Sequence, residues 1–133
     1  MQRIITAIVV AVSLMTSGCV TAQYGGRPAA WCGWQARQEV AMDPGPKFNR
    51  ALEWKKYGTN AGGPCVGCIV VWNRGRGKGH VGVITGKADT GEWIVRSGND
   101  GHELRERPRS IAHAVAFRRP QLFGPDFDRP QSD

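Results

Sequence analysis

Three residue types in one order frame the chemistry open to this chain. They are a thiol in Trp31-Cys32-Gly33-Trp34, an imidazole in Gly79-His80-Val81-Gly82-Val83-Ile84, and an amide in Ser97-Gly98-Asn99-Asp100-Gly101. A cysteine thiolate is a strong nucleophile, a histidine relays its proton, and an amide oxygen fixes the tautomer and orientation of that ring. Cys32 is therefore the candidate nucleophile, His80 the base and Asn99 the orienting residue of a covalent acyl-transfer site. Taken singly, each has a plainer reading. A helical cysteine is commonly a small core residue, a histidine opening a strand a satisfied polar group, and the asparagine of Gly-Asn-Asp-Gly a turn residue. Their joint order lifts the set above those readings. His102 and His113 rank lower, because neither opens an apolar strand.

The elements that must position these residues follow from periodicity and turn chemistry. Ala29 to Met42 carries Trp31, Trp34 or Gln35, Gln38 and Ala41 at helical spacing, with Pro28 placed for a first turn and Asp43-Pro44-Gly45-Pro46 as a stop. Phe48 to Tyr57 reads as a second short helix that Gly58 ends. After a turn-rich Thr59 to Gly67, strands are expected at Cys68 to Trp72, His80 to Thr85, Glu92 to Ser97 and Ala114 to Arg118. Helices first and an antiparallel sheet afterwards is an α+β layout, with the N-terminal helices packed on a small sheet.

In that layout Cys32 sits in the first turn of the first helix, where free backbone N–H groups and the helix dipole favour a thiolate. A hairpin turning at Ala88-Asp89-Thr90-Gly91, with Gly86 opposite Trp93, brings Asn99 across from His80. A one-residue slip substitutes Gly98 there, and a two-residue slip substitutes Ser97.

At these positions the chain resembles the CHAP (cysteine, histidine-dependent amidohydrolase/peptidase) families, relatives of the NlpC-type cell-wall peptidases in the papain-like superfamily. The likeness rests on Trp31-Cys32, Gly79-His80-Val81-Gly82 and Gly98-Asn99, with Trp54, Gly58 and Phe117-Arg118-Arg119-Pro120 in keeping, and runs from about Ala29 to Pro120. Related sequences usually show Gly-Asp entering the strand that begins here at Cys68, where this chain reads Cys65-Val66-Gly67-Cys68-Ile69. The resemblance implies a half-papain-like α+β domain that hydrolyses amide bonds in peptidoglycan peptides through Cys32, His80 and Asn99. Two other classes stay open on the same fold: a catalytically silent cell-wall binding module, and an exported effector or acyltransferase using the same thiol.

The remaining sequence points to export. Gln2 and Arg3 precede an apolar run from Ile4 to Leu14, and Ser17-Gly18-Cys19 follows, as in a bacterial secretory leader. The run is shorter than the roughly 20 apolar residues that span a bilayer. Cleavage before Cys19 would leave a lipidated N-terminus and a membrane-anchored periplasmic lipoprotein, the favoured reading. Cleavage after Val20-Thr21-Ala22 would release a soluble periplasmic or secreted form. Residues 1–22 are thus the leader region, 23–120 one domain, and 121–133 a flexible C-terminal tail.

The formal net charge is +7, and +6 once Arg3 is removed, so anionic surfaces attract the chain. Arg74, Arg76 and Lys78 form one basic group and Arg105, Arg107 and Arg109 another, both read as solvated turns. No recognition helix or aromatic-basic stripe supports nucleic-acid binding, and Gly75, Gly77 and Gly79 precede a strand rather than a phosphate-cradling helix. Cys65 and Cys68 have the spacing of a zinc pair, a redox pair or a small disulfide loop. An oxidising compartment without further ligands or a βαβ context favours the disulfide. The chemistry calls for no metal and no organic cofactor.

Overall fold

The computed structural model describes residues 23–120. The leader, with Cys19, and the tail at 121–133 lie outside the described residues. Helix α1 (Cys32–Glu39) is followed by two 3-10 turns, Pro46–Asn49 and Ala51–Lys56, and then by strands β1 (Thr59–Asn60), β2 (Ile69–Gly75), β3 (Lys78–Lys87), β4 (Trp93–Asp100), β5 (Glu103–Arg109) and β6 (Ala114–Arg119). The strands form one six-stranded antiparallel sheet in the order β1-β6-β2-β3-β4-β5. The architecture is α+β.

Strand β2 lies between β6 and β3 and has an unbroken apolar start, Ile69 to Trp72, because it is covered on both faces. Its alternate residues serve two cores. Ile69 and Val71 pack with Cys32, Ala36, Ala51, Trp54, Tyr57 and Val81 beneath α1 and the 3-10 turns. Val70 and Trp72 pack with Cys68, Ile84 and Val95 on the other side. Cys65 and Cys68 are joined by a disulfide across a Cα–Cα distance of 5.3 Å, closing the loop that enters β2.

The first helix is shorter than the Ala29 to Met42 expected from periodicity. Arg37 donates to both carboxylate oxygens of Asp43 at 2.7 Å and to Asn49 Oδ1 at 2.8 Å, which draws the chain back across the helix end. Val40 is already extended. The expected second helix is instead two 3-10 turns that part at the extended residue Arg50. Trp54, fully buried, donates from Nε1 to Phe48 O at 2.7 Å and ties the two turns together. Arg118 on β6 donates to Tyr57 O and Gly58 O, fixing where the second turn ends.

Two strands go beyond the sequence reading. Thr59–Asn60 is a two-residue edge strand within the segment read as turns, and Glu103–Arg109 is a full edge strand where Arg105, Arg107 and Arg109 were expected in solvated turns. Six of its seven residues are exposed, so β5 lacks the alternating apolar residues that betray a half-buried strand. A charged edge also discourages pairing with another chain.

Candidate active site

Cys32 is the first residue of α1, and α1 is held to the sheet at both ends. At its C-terminus, Arg96 on β4 donates to Glu39 Oε1 at 2.9 Å. At its N-terminus two glycines allow backbone to approach closely. A Cβ on Gly33 would collide with the carbonyl oxygens of Phe48 and Asn49, and one on Gly98 would lie 2.6 Å from the Trp31 ring and from Gln35 Cβ. Gly98 therefore does more than precede Asn99: it lets β4 pass directly under the start of α1.

The Cys32 side chain is buried and packs with Val81, the residue after His80. The backbone amides of Val81, Gly33 and Cys32 itself lie close enough to the sulfur to favour a thiolate, and Arg74 adds a favourable charge. Burial nevertheless outweighs them and holds the thiol above its ordinary value. This corrects the expectation that the helix start would yield a thiolate: the sulfur stays protonated at neutral pH.

His80 lies on β3 and is 1% exposed. Its Nε2 is 2.9 Å from Ser97 Oγ, and the ring lies 5.7 Å from the Trp72 ring. Burial, with Arg109 and Arg74 adding like charge, lowers its pKa to about 3, so the imidazole is neutral near pH 7.

Asn99 lines the same cavity as Cys32 and His80, but the hydrogen-bond partner of His80 is Ser97. No two-residue slip is needed for this. Val83 pairs with Arg96 and Ile84 with Val95, the register that nominally sets Asn99 opposite His80. The β3–β4 pairing stops there, however, and a bulge places Gly98 and Asn99 of β4 against the single residue Leu104 of β5. Asn99 has a left-handed φ of 53°, which breaks the side-chain alternation of the strand. The hairpin turn differs as well. An irregularity at Ile84/Gly86 pairs Gly86 with Ile94 and Lys87 with Trp93, in place of the expected Gly86 with Trp93.

Behind Ser97 stands a charged network that the sequence reading assigned to solvent. Arg109 donates from Nη1 to Ser97 Oγ at 3.4 Å and covers the Trp72 ring at 4.8 Å. Asp100, 5% exposed, accepts from Arg107 at 2.6 and 2.7 Å, and that guanidinium holds its carboxyl below the usual carboxylate range. Ser97 Oγ accepts from Arg109 and keeps one lone pair and its own O–H for the ring: where it accepts from His80 Nε2–H, Nδ1 is the free nitrogen, and where it donates to Nε2, Nδ1 carries the proton. The one signal in the sequence is the period-two spacing of Arg105, Arg107 and Arg109, which fits a strand better than a turn.

The cavity on which Cys32, His80 and Asn99 open has a volume of about 530 Å³ and is also lined by Arg50, Arg74, Lys78 and Asn49. That is room for a peptide-sized ligand. Cys32 is the one free cysteine among the described residues, and these residues contain no cluster of side chains arranged to hold a metal ion. No known protein family, curated protein or solved structure matches the chain.

Proposed function

We propose that this chain is an exported cysteine amidohydrolase/peptidase of the CHAP type, with a half-papain-like fold, that hydrolyses amide bonds in peptidoglycan peptides. What carries the reading is one juxtaposition. A thiol at a helix start and an imidazole on the neighbouring strand line a single cavity, with one ring nitrogen hydrogen-bonded to a hydroxyl. Cys32 Sγ attacks the amide carbonyl carbon while its proton passes to His80 Nδ1. His80 then gives that proton to the leaving nitrogen as the C–N bond breaks. Water attacks the thioester and His80 takes its proton. Sγ recovers a proton as the C–S bond breaks and the acid departs. The Cys32 backbone N–H, at a helix N-terminus, would stabilise the oxyanion. A lipid on Cys19 would hold the domain at the membrane, close to its substrate.

A second reading, a catalytically silent cell-wall binding module, is favoured by a different observation: burial leaves thiol and imidazole both neutral rather than as an ion pair. Incubation of the purified full chain with peptidoglycan, with released fragments read by mass spectrometry, decides between them. Hydrolysis predicts new amine and carboxylate ends that vanish in Cys32→Ala. Peptidoglycan retained by the protein but chemically unchanged supports the binding module.

A further inference from the structure

The cavity around Cys32 and His80 carries three cations and no acid. Arg50 stands at the break between the 3-10 turns, Arg74 near the end of β2 and Lys78 at the start of β3, and all three are exposed at its wall. The carboxylates of the described residues are engaged elsewhere. Asp43 is bound by Arg37, Glu53 by Lys47 and Lys56, Glu39 and Glu106 by Arg96, Glu103 by Arg105, and Asp100 by Arg107. Asp89 and Glu92 lie in the β3–β4 turn, at the opposite end of β3 from Lys78. Among the described residues, none of Arg50, Arg74 and Lys78 forms an ion pair. A concave wall with one sign of charge focuses that field on whatever enters.

We propose that Arg50, Arg74 and Lys78 form an anion subsite, and that the amide acted on by Cys32 carries a free carboxylate close to the scissile bond. The assignment of a carboxylate rests on the hydrolase reading above, since the anionic group of a peptide is a carboxylate. A guanidinium such as that of Arg74 binds one through two parallel N–H donors. Ion pairing would hold the substrate by its charge and leave the adjoining amide over the thiol. A peptide whose carboxyl groups have been converted to carboxamides would lose that hold.

The test compares alkylation of Cys32 in the full chain by iodoacetate and by iodoacetamide, which share a leaving group and differ in charge. The peptide bearing Cys32 is quantified by mass spectrometry, and the ratio of the two rates cancels thiolate fraction and access. Relative to the urea-unfolded chain, the ratio should favour iodoacetate by about threefold for each cation within roughly 6 Å. It should fall stepwise in Arg74→Gln and Arg74→Gln/Lys78→Gln and decline with salt. A ratio equal to that of the unfolded chain, or one unmoved in the double variant, overturns the subsite whether or not the protein cuts anything. In a second arm, native peptidoglycan should be cut about tenfold faster than peptidoglycan whose carboxyl groups are capped with glycinamide, and equal rates overturn the carboxylate requirement. A high ratio with neither material cut sustains the anion subsite and refutes the hydrolase reading.

Discussion

Acidification to pH 4.5 should destabilise this protein through a single buried ring. His80 has a folded-state pKa of about 3, against 6.5 for the unperturbed side chain, because burial and the charges of Arg109 and Arg74 oppose protonation. Between those two values the unfolded chain binds a proton that the folded chain does not. The stabilisation is therefore complete above about pH 6.5 and is lost progressively as pH falls toward 3. At pH 4.5 the unfolded ring is charged and the folded ring is still neutral. The two-unit interval from 6.5 costs about 2.7 kcal/mol at 1.36 kcal/mol per unit. That is a substantial share of the roughly 5–15 kcal/mol that a small domain possesses.

Urea unfolding of the full chain at pH 7.5 and 4.5, beside a His80→Asn chain, measures this loss. The quantity to compare is the change in stability between the two pH values, so any fixed cost of the substitution drops out. Asp43 and Asp100, both held below the usual carboxylate range by arginines, contribute stability that is lost at lower pH; Asp43 does so equally in both chains, and the part of the Asp100 contribution that depends on His80 is the smallest of its causes, behind the hydrogen bonds from Arg107. The wild type should lose about 2.7 kcal/mol more than His80→Asn. An equal loss in the two chains, or a His80 ring resonance titrating near pH 6.5, would refute the buried neutral imidazole. The catalytic reading would then rest on a thiolate–imidazolium pair.

Three further outcomes test the site and its scaffold. Because burial holds the Cys32 thiol above its ordinary value, alkylation by iodoacetamide should rise about tenfold per pH unit from 6 to 8; a flat profile would contradict this. Ser97→Ala should lower peptidoglycan turnover by roughly tenfold, the worth of one hydrogen bond, and more than Asn99→Ala does; a defect confined to the Asn99 variant would restore Asn99 as the orienting residue. Gly98→Ala places a methyl 2.6 Å from the Trp31 ring and should cost about 1–3 kcal/mol in urea unfolding, an account that an unchanged midpoint would reject.

How far the sequence reveals the site depends on which residues are set by local rules. Cys32 at a helix start and His80 on an apolar strand are legible because helix stops and strand alternation are short-range signals, and both elements exist where those signals place them. The partner of His80 is not of that kind. Counting along an ideal hairpin reaches Asn99, but a left-handed residue and a bulge against Leu104 end the count, and the hydroxyl two positions earlier meets the ring. The bulge is set by how β4 meets β5, which a count along the β3–β4 hairpin does not register.

The electrostatics of the site lie further still from the motif. Arg109 is 12 residues from the Ser97 it contacts and lies on a strand without an apolar face, yet it helps keep His80 uncharged. Arg74 and Lys78, read alone, are turn residues; only the closure of β2 onto β3 brings them to the wall of the cavity that also holds the thiol. The same Arg74 favours a thiolate at Cys32 and disfavours an imidazolium at His80. It thus works against proton transfer at one end and for it at the other. An anion bound to Arg74 would relax both effects together, lifting the pKa of the ring and that of the thiol in the same direction. Occupation of the cavity and the protonation of its two reactive groups are therefore coupled through one side chain.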